Sequence, residues 1–335
     1  MDLIRTDRYG NELGIMKNVD VDFEISSSGD PSALNDFTID ISRNDWDKQI
    51  TDKCRVFVPG TEYGGIIGKF NTSTAENRIT IKGNTWRGMM DHKIIRPAAG
   101  EDYASDSGEL NEIIKARVES FFPGLFIGSD EDTGVTVNEF QYKRYCTLHE
   151  GLTDLLKSKG YKLDIDYVQG DENEAGYVMV KAEMIIDYSD DVEFSQDSDF
   201  DFTSERKLNG TNHLICLGSG ELAQRTVIDL YVDENGNVGD QQYFFGADEI
   251  TDVYESNGSS AEDLRENGIK KLNEDKNSES YGISIANIDS DIDIGDIAGG
   301  SDFITGATIT KPIGRKIWSV SAGREKIEYK LEGDK

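Results

Sequence analysis

The stretch Arg78–Pro97, RITIKGNTWRGMMDHKIIRP, constrains this chain more than any other. It reads as a short alternating strand, a glycine, a tight helical turn carrying a tryptophan, and a second strand. Ile79 and Ile81 take one face of the first strand and Thr80 and Lys82 the other, because side chains on a strand alternate with a period of two. Gly83 is expected to turn the chain sharply, having no Cβ to clash. Asn84 or Thr85 is placed to cap the turn that follows. Trp86, Met89 and Met90, at helical spacing, share an apolar face suited to closing the end of a small barrel. Pro97 ends the unit. No nucleophile stands here beside a base, so the stretch reads as core rather than as a catalytic element.

Everything before it reads as strands leading into it. LIRTD, the turn at Arg8–Asn11, ELGIM and VDVDFEI follow one another, the last with Val19, Val21, Phe23 and Ile25 alternating against acids. After the polar stretch Ser26–Asn35, Phe37, Ile39 and Ile41 alternate again. Arg55–Val58, the Pro59-Gly60 turn and Gly65–Phe70 add two more strands. Short strands with turns at regular intervals indicate an antiparallel sandwich or small closed barrel over residues 1–100.

From residue 101 the pattern changes. In SGELNEIIKARVESFF, Leu110, Ile113, Ile114, Val118 and Phe121 fall on one helical face, and Pro123-Gly124 stops it. Thr147 with Glu150 forms a capping box for a second helix, whose stripe is Leu148, Leu152, Leu155 and Leu156 and whose end is Gly160. YKLDIDYV and GYVMVKAEMII then alternate as two strands, so 101–186 reads as a peripheral α+β domain. Residues 187–225 read as connecting strands. The span 226–335 reads as a second small barrel: a hairpin of LYV and QQYFF about Asp233–Gly236, a helix begun by Ser260 with Asp263 near 259–275, and strands to the end. Gly268 interrupts that helix's stripe of Ala261, Leu264, Ile269 and Leu272. No appended domain is expected after the last strand.

Candidate chemistry is thin. Asp187–Asp201 is dense in carboxylates, the hard ligands calcium prefers, but it lacks the ordered ladder of an EF-hand and reads more simply as a solvated connection. Asp233, Asn235 and Asn237 fail that template at Val238 and Phe244; Asp289, Asp291 and Asp293 fail it at Ile294 and Gly300. Gly218-Ser219-Gly220 completes neither a nucleophile elbow nor a phosphate loop, and Ser204 with Lys207 matches only a permissive S-x-x-K. His92, His149 and His213 have no zinc spacing. No catalytic, cofactor-binding or metal residue is assigned.

With 65 acidic against 35 basic residues the formal net charge is −30, which disfavours binding to a phosphate backbone. Cys54, Cys146 and Cys216 are odd in number and far apart, so buried, reduced thiols are expected rather than a disulfide framework. Neither a signal peptide nor an apolar run of roughly 18 residues is present, which points to synthesis in a cytoplasm.

Four stretches in order carry a resemblance: ITIKGNTWRGMMDHKIIRP, NEFQYKRYCTLHEGL, LGSGELAQRTVIDLYVDENGNV, and DIGDIAGG with ATITKPIGRKIWSV. Together they resemble the baseplate hub proteins of long-tailed, siphovirus-type phages and prophages of Gram-positive bacteria. The resemblance implies a mainly β chain with α+β insertions, built as two tube-like barrels with peripheral α+β domains. It also implies a homotrimeric ring that continues the tail tube, a place in the virion tail tip after assembly in the host cytoplasm, and DNA passing through the lumen. Distal tail protein, tape measure and tail fibre or receptor-binding proteins are the implied neighbours. Neither enzymatic activity nor a cofactor is implied. Two other readings stand beside it: a tail-associated cell-wall hydrolase, and a calcium-stiffened adhesion or binding module.

Overall fold

The computed structural model describes residues 1–27, 34–170, 174–189, 200–286, 292–302 and 307–332. The chain opens with β1 (Ile4–Thr6), β2 (Glu12–Ile15), β3 (Val19–Ser26), β4 (Asp36–Ser42), β5 (Arg55–Phe57), β6 (Gly64–Ser73), β7 (Arg78–Thr85) and helix α1 (Trp86–Asp91). Alternation shapes them: Val21, Phe23, Ile25, Phe37, Ile39, Ile41, Ile79 and Ile81 are buried, while Asp20 and Asp22 are exposed. An inserted layer follows, with β8 (Ser105–Glu109), α2 (Leu110–Phe121), β9 (Phe126–Gly128), β10 (Thr136–Gln141), α3 (Leu148–Lys157), β11 (Tyr161–Val168) and β12 (Tyr177–Met184). Next come β13 (Phe200–Lys207), β14 (His213–Leu217), β15 (Val227–Val232), β16 (Val238–Gly239), β17 (Thr251–Glu255) and α4 (Ala261–Asp275). The return is β18 (Ser278–Ala286), β19 (Ile297–Asp302), β20 (Ala307–Ser321) and β21 (Arg324–Leu331).

The protein is mainly β with α+β layers, and its large sheet curls as a half barrel. Among the described residues that sheet has twelve strands in the order β13-β18-β21-β20-β3-β4-β7-β6-β5-β1-β2, with β19 paired to β20. Strand β20 is the joint. Its first half pairs with β19, and its second half pairs with β21 on one side and β3 on the other, placing Trp318 opposite both Ile327 and Phe23. The sequence reads TGATITK and KIWSVSAG as separate strands; they are one, because the register shift between Ile313 and Arg315 absorbs the bend.

The chain divides into two compact units. One is Met1–Phe202 with Gly282–Lys335; the other is Thr203–Tyr281. These limits cut the chain elsewhere than the boundaries read from the sequence. No helix among the described residues is long and apolar enough to cross a membrane.

Several local expectations need correction. Gly83 does not turn the chain but lies inside β7, where a Cβ would stand 2.1 Å from the Ile66 carbonyl oxygen and 2.5 Å from the Phe37 ring. Its missing side chain makes room for that ring. Thr85 caps α1, its hydroxyl accepting from the Gly88 N–H at 3.3 Å, and no strand follows: Ile94 makes only an isolated bridge to Thr147. Trp86 does not close a barrel. It stacks on Tyr167 of β11, centroids 5.5 Å apart, and meets Phe126 of β9 edge-on, so it joins sheet and inserted layer through one apolar core. QQYFF forms no strand, and β15 pairs with the short β16 instead.

Within Thr203–Tyr281 a four-stranded sheet, β16-β15-β14-β17, carries α4 against one face. Ser260 caps α4 by accepting from the Asp263 N–H at 3.1 Å, as its spacing indicates. Gly268 is no defect in the stripe but its point of closest approach, since a Cβ there would lie 2.5 Å from Cys216 Sγ. Gly268→Ala should therefore destabilise this unit by about 1–3 kcal/mol through overpacking, and adding Cys216→Ala should restore most of the loss. Urea denaturation followed by hydrogen exchange in α4 measures both; an unchanged G268A protein would contradict the close packing.

Candidate functional site

The residues that need an explanation are charged and buried in Met1–Phe202 and Gly282–Lys335. Arg87 lies on α1 between buried Trp86 and Gly88, where the helix that fixes the tryptophan also carries the guanidinium inward. Its Nε and Nη2 donate to Glu62 at 2.5 and 3.0 Å, and Nη2 also donates to the Leu163 carbonyl at 2.9 Å. Burial pushes the Glu62 carboxyl up, while Arg87 pulls against it. Two hydrogen bonds from one guanidinium to one carboxylate give the pair a fixed fork geometry.

Two further pairs continue this network. Lys162 of β11 donates to Asp296 at 2.7 Å, and Asp296, fully buried, also accepts from the backbone N–H groups of Asp293 and Ile186. Lys316 of β20 donates to Asp293 at 3.0 Å and stands over the rings of Tyr63 and Tyr329 at 5.3 and 5.8 Å. Burial opposes the Asp293 charge, yet Lys316 and the Ile294 N–H hold its carboxyl below the ordinary value. For Lys316 burial works downward, and Asp293 with the two tyrosines overcomes it and raises the ammonium. Trp318, two residues on, lies in an aromatic cluster with Phe23 and Tyr63 at 5.4 and 5.1 Å.

A second polar chain leads from the inserted layer to the sheet. His149 of α3, wholly buried, shares a hydrogen bond with Asp91 of α1 through Nδ1 at 2.8 Å. Asp91 also accepts from Asn35 Nδ2 at 2.8 Å, and Asn35 Oδ1 accepts from the Ser26 N–H at 2.8 Å. Burial holds His149 below its ordinary value against the pull of Asp91. Asp91 in turn is lowered: burial pushes it up, and the bonds from His149 and Asn35 outweigh that.

Glu62 with Arg87, Asp296 with Lys162 and Asp293 with Lys316 each pair opposite charges, and the pairs link elements far apart in the chain. Among the described residues no cluster of three or more His, Cys, Asp or Glu side chains is arranged to hold a metal ion. The residues weighed from the sequence scatter. Of the acidic tract, Asp187 accepts from the Ser189 N–H at 2.9 Å, and 190–199 lie outside the described residues, as do Asp289 and Asp291. Asp233 accepts from the N–H groups of Asn235 and Asn237, both at 2.8 Å, a turn built by one carboxylate. Gly218-Ser219-Gly220 opens the hairpin between β14 and β15. Ser204 and Lys207 belong to β13. His92 ends α1, and His213 on β14 lies between Glu249 and Asp229 at 2.8 and 2.9 Å. All three cysteines are buried and free. Sequence reasoning passed over Glu62, Arg87, Lys162 and Asp296. The available signal was an arginine directly after a core tryptophan, and two acids three apart in DIGD.

No protein family and no curated protein sequence matches this chain. Solved structures with a similar chain course include the 43 kDa tail protein of prophage MuSo2 from Shewanella oneidensis, 14% identical over 99% of this chain and 98% of that one, with a TM-score of 0.49. The prophage tail protein gp18 from Listeria monocytogenes EGD-e is 12% identical over 100% and 96%, with a TM-score of 0.48. A chain of the phage P2 baseplate in its activated conformation with Ca is 10% identical over 100% and 99%, with a TM-score of 0.46.

Two outcomes follow from the buried charges. Arg87→Met leaves Glu62 buried without its partner and should cost about 3–5 kcal/mol in urea denaturation, whereas R87M with Glu62→Leu should recover most of that; equal losses in both would contradict a paired network. His149, lowered from 6.5, takes up a proton more readily unfolded than folded, so its contribution is full above that value and is lost as pH falls below it. Asp91, also lowered, loses its contribution only at lower pH, below its ordinary 3.8. His149→Gln should therefore flatten the fall in melting temperature just below neutrality and leave the more acidic fall in place.

Proposed function

We propose that this chain is a structural protein of a phage tail, a baseplate hub at the distal end that forms a trimeric ring, continues the tail tube and lets DNA pass. Strands β1–β7 and β18–β21 supply the tube layer on this reading, and the α+β layer 101–186 lies outside it. The chain acts without a catalytic residue, cofactor or metal, in contact with neighbouring tail proteins such as the distal tail protein and the tape measure.

One observation carries the reading. Three of the four stretches behind the sequence resemblance supply the two polar chains: Arg87 and Asp91 come from the first, His149 from the second, and Asp293, Asp296 and Lys316 from the last. Stretches that are separately only turns and strands are thus tied into the fold by paired polar groups. Charge agrees with the role, since basic residues around a lumen would hold DNA by counterion release, and here acids exceed bases 65 to 35. The similar structures named above are tail and baseplate proteins, and the proposal takes that role to this chain.

Immunogold electron microscopy of particles from an induced lysate, with antibody raised against this chain, tests the placement. Label at the distal tip of the tail is expected. Unlabelled particles with the protein left free in the lysate would contradict it.

A further inference from the structure

We propose that the uncovered face of the β16-β15-β14-β17 sheet is a docking surface for a partner protein that presents an apolar strip flanked by lysines or arginines. The proposal rests on Thr203–Tyr281 alone and stands whether or not the tail reading does.

Register lays out the face. Leu214, Cys216, Leu230 and Val232 are buried with Leu264 and Leu272 of α4, so alternation sends His213, Ile215 and Leu217 to the opposite side. Their register partners complete a grid, with Tyr231, Asp229 and Val227 on β15 and Thr251, Val253 and Glu255 on β17. A sheet with one wet face ordinarily turns polar side chains outward. Here five of the nine outward positions are Ile215, Leu217, Val227, Tyr231 and Val253, and the two valines are 51% and 50% exposed. The same unit holds six of the fourteen exposed large apolar side chains among the described residues, and two of them, Val227 and Val253, stand on this face.

Charge selects the occupant. The nine positions include Asp229 and Glu255 and no lysine or arginine, and Glu249 stands beside His213 at 2.8 Å. Arg225, at the rim, is already engaged by the Gly218 carbonyl at 3.2 Å and Glu255 at 3.5 Å. Across Thr203–Tyr281, 16 acids stand against 7 bases. Two copies meeting face to face would set carboxylate against carboxylate, and a phosphate backbone would be repelled. A basic-rimmed apolar protein surface satisfies both the valines and the acids.

The test uses the full chain with labelled Ile, Leu and Val methyl groups, titrated with the peptides Ac-KVKVKVK-NH2, Ac-KSKSKSK-NH2 and Ac-EVEVEVE-NH2 and followed by NMR. KVKVKVK is expected to shift the methyl signals of Ile215, Leu217, Val227 and Val253, with affinity falling about tenfold in high salt. Val227→Thr with Val253→Thr, exposed and compatible with strands, should abolish those shifts while the remaining spectrum persists. Equal shifts from KSKSKSK or EVEVEVE, shifts confined to other residues, or no binding would overturn the proposal. A dimer seen by sedimentation that disappears in the same double variant would also overturn it, by making a second copy the occupant.

Discussion

The buried pair of Arg87 with Glu62 is the constraint on which the rest of the larger unit depends. A guanidinium that is 3% exposed cannot be left alone, so α1 must lie where Glu62, in the loop before β6, and the Leu163 carbonyl of β11 both reach it. That single requirement fixes the helix after β7 against the sheet and against the inserted layer together. Lys162 with Asp296 and Lys316 with Asp293 impose the same condition on the returning chain. Such pairs add little over well-packed apolar groups of the same volume, but losing one partner costs several kcal/mol. Their contribution here is to specify one arrangement of three chain segments.

Apolar burial supplies the driving force around that lock. Trp86, Phe126 and Tyr167 join α1, β9 and β11, while Phe23, Tyr63 and Trp318 join β3, β20 and the loop before β6. Both ends of the chain thereby enter one sheet, with the α+β layer anchored on it through α1.

How far the sequence disclosed this depends on the range of the interaction. Strands β3, β4 and β7 were legible because a period of two is local, and α3 and α4 because Thr147 with Glu150 and Ser260 with Asp263 are local signals. Gly83 was misread because its reason lies across the sheet, in the Phe37 ring. The polar core was illegible: Lys162 and Asp296 are 134 residues apart, and no periodicity announces such a partner. QQYFF has the composition of a strand, but β16 had already taken the place beside β15. The open face of the smaller sheet was hidden for the same reason, since only register shows that Ile215, Val227 and Val253 fall together.

On the proposed function these elements serve a ring at the tail tip, with an acid-rich chain around a DNA path. Electron cryomicroscopy of intact particles, reconstructed at the distal end to a resolution that traces the chain, tests it most directly. The account predicts three copies of this chain around the lumen, the curled sheets continuing the tube wall and the lumen free of a basic lining. Absence of the chain from that ring, or a strongly basic lumen, would contradict it.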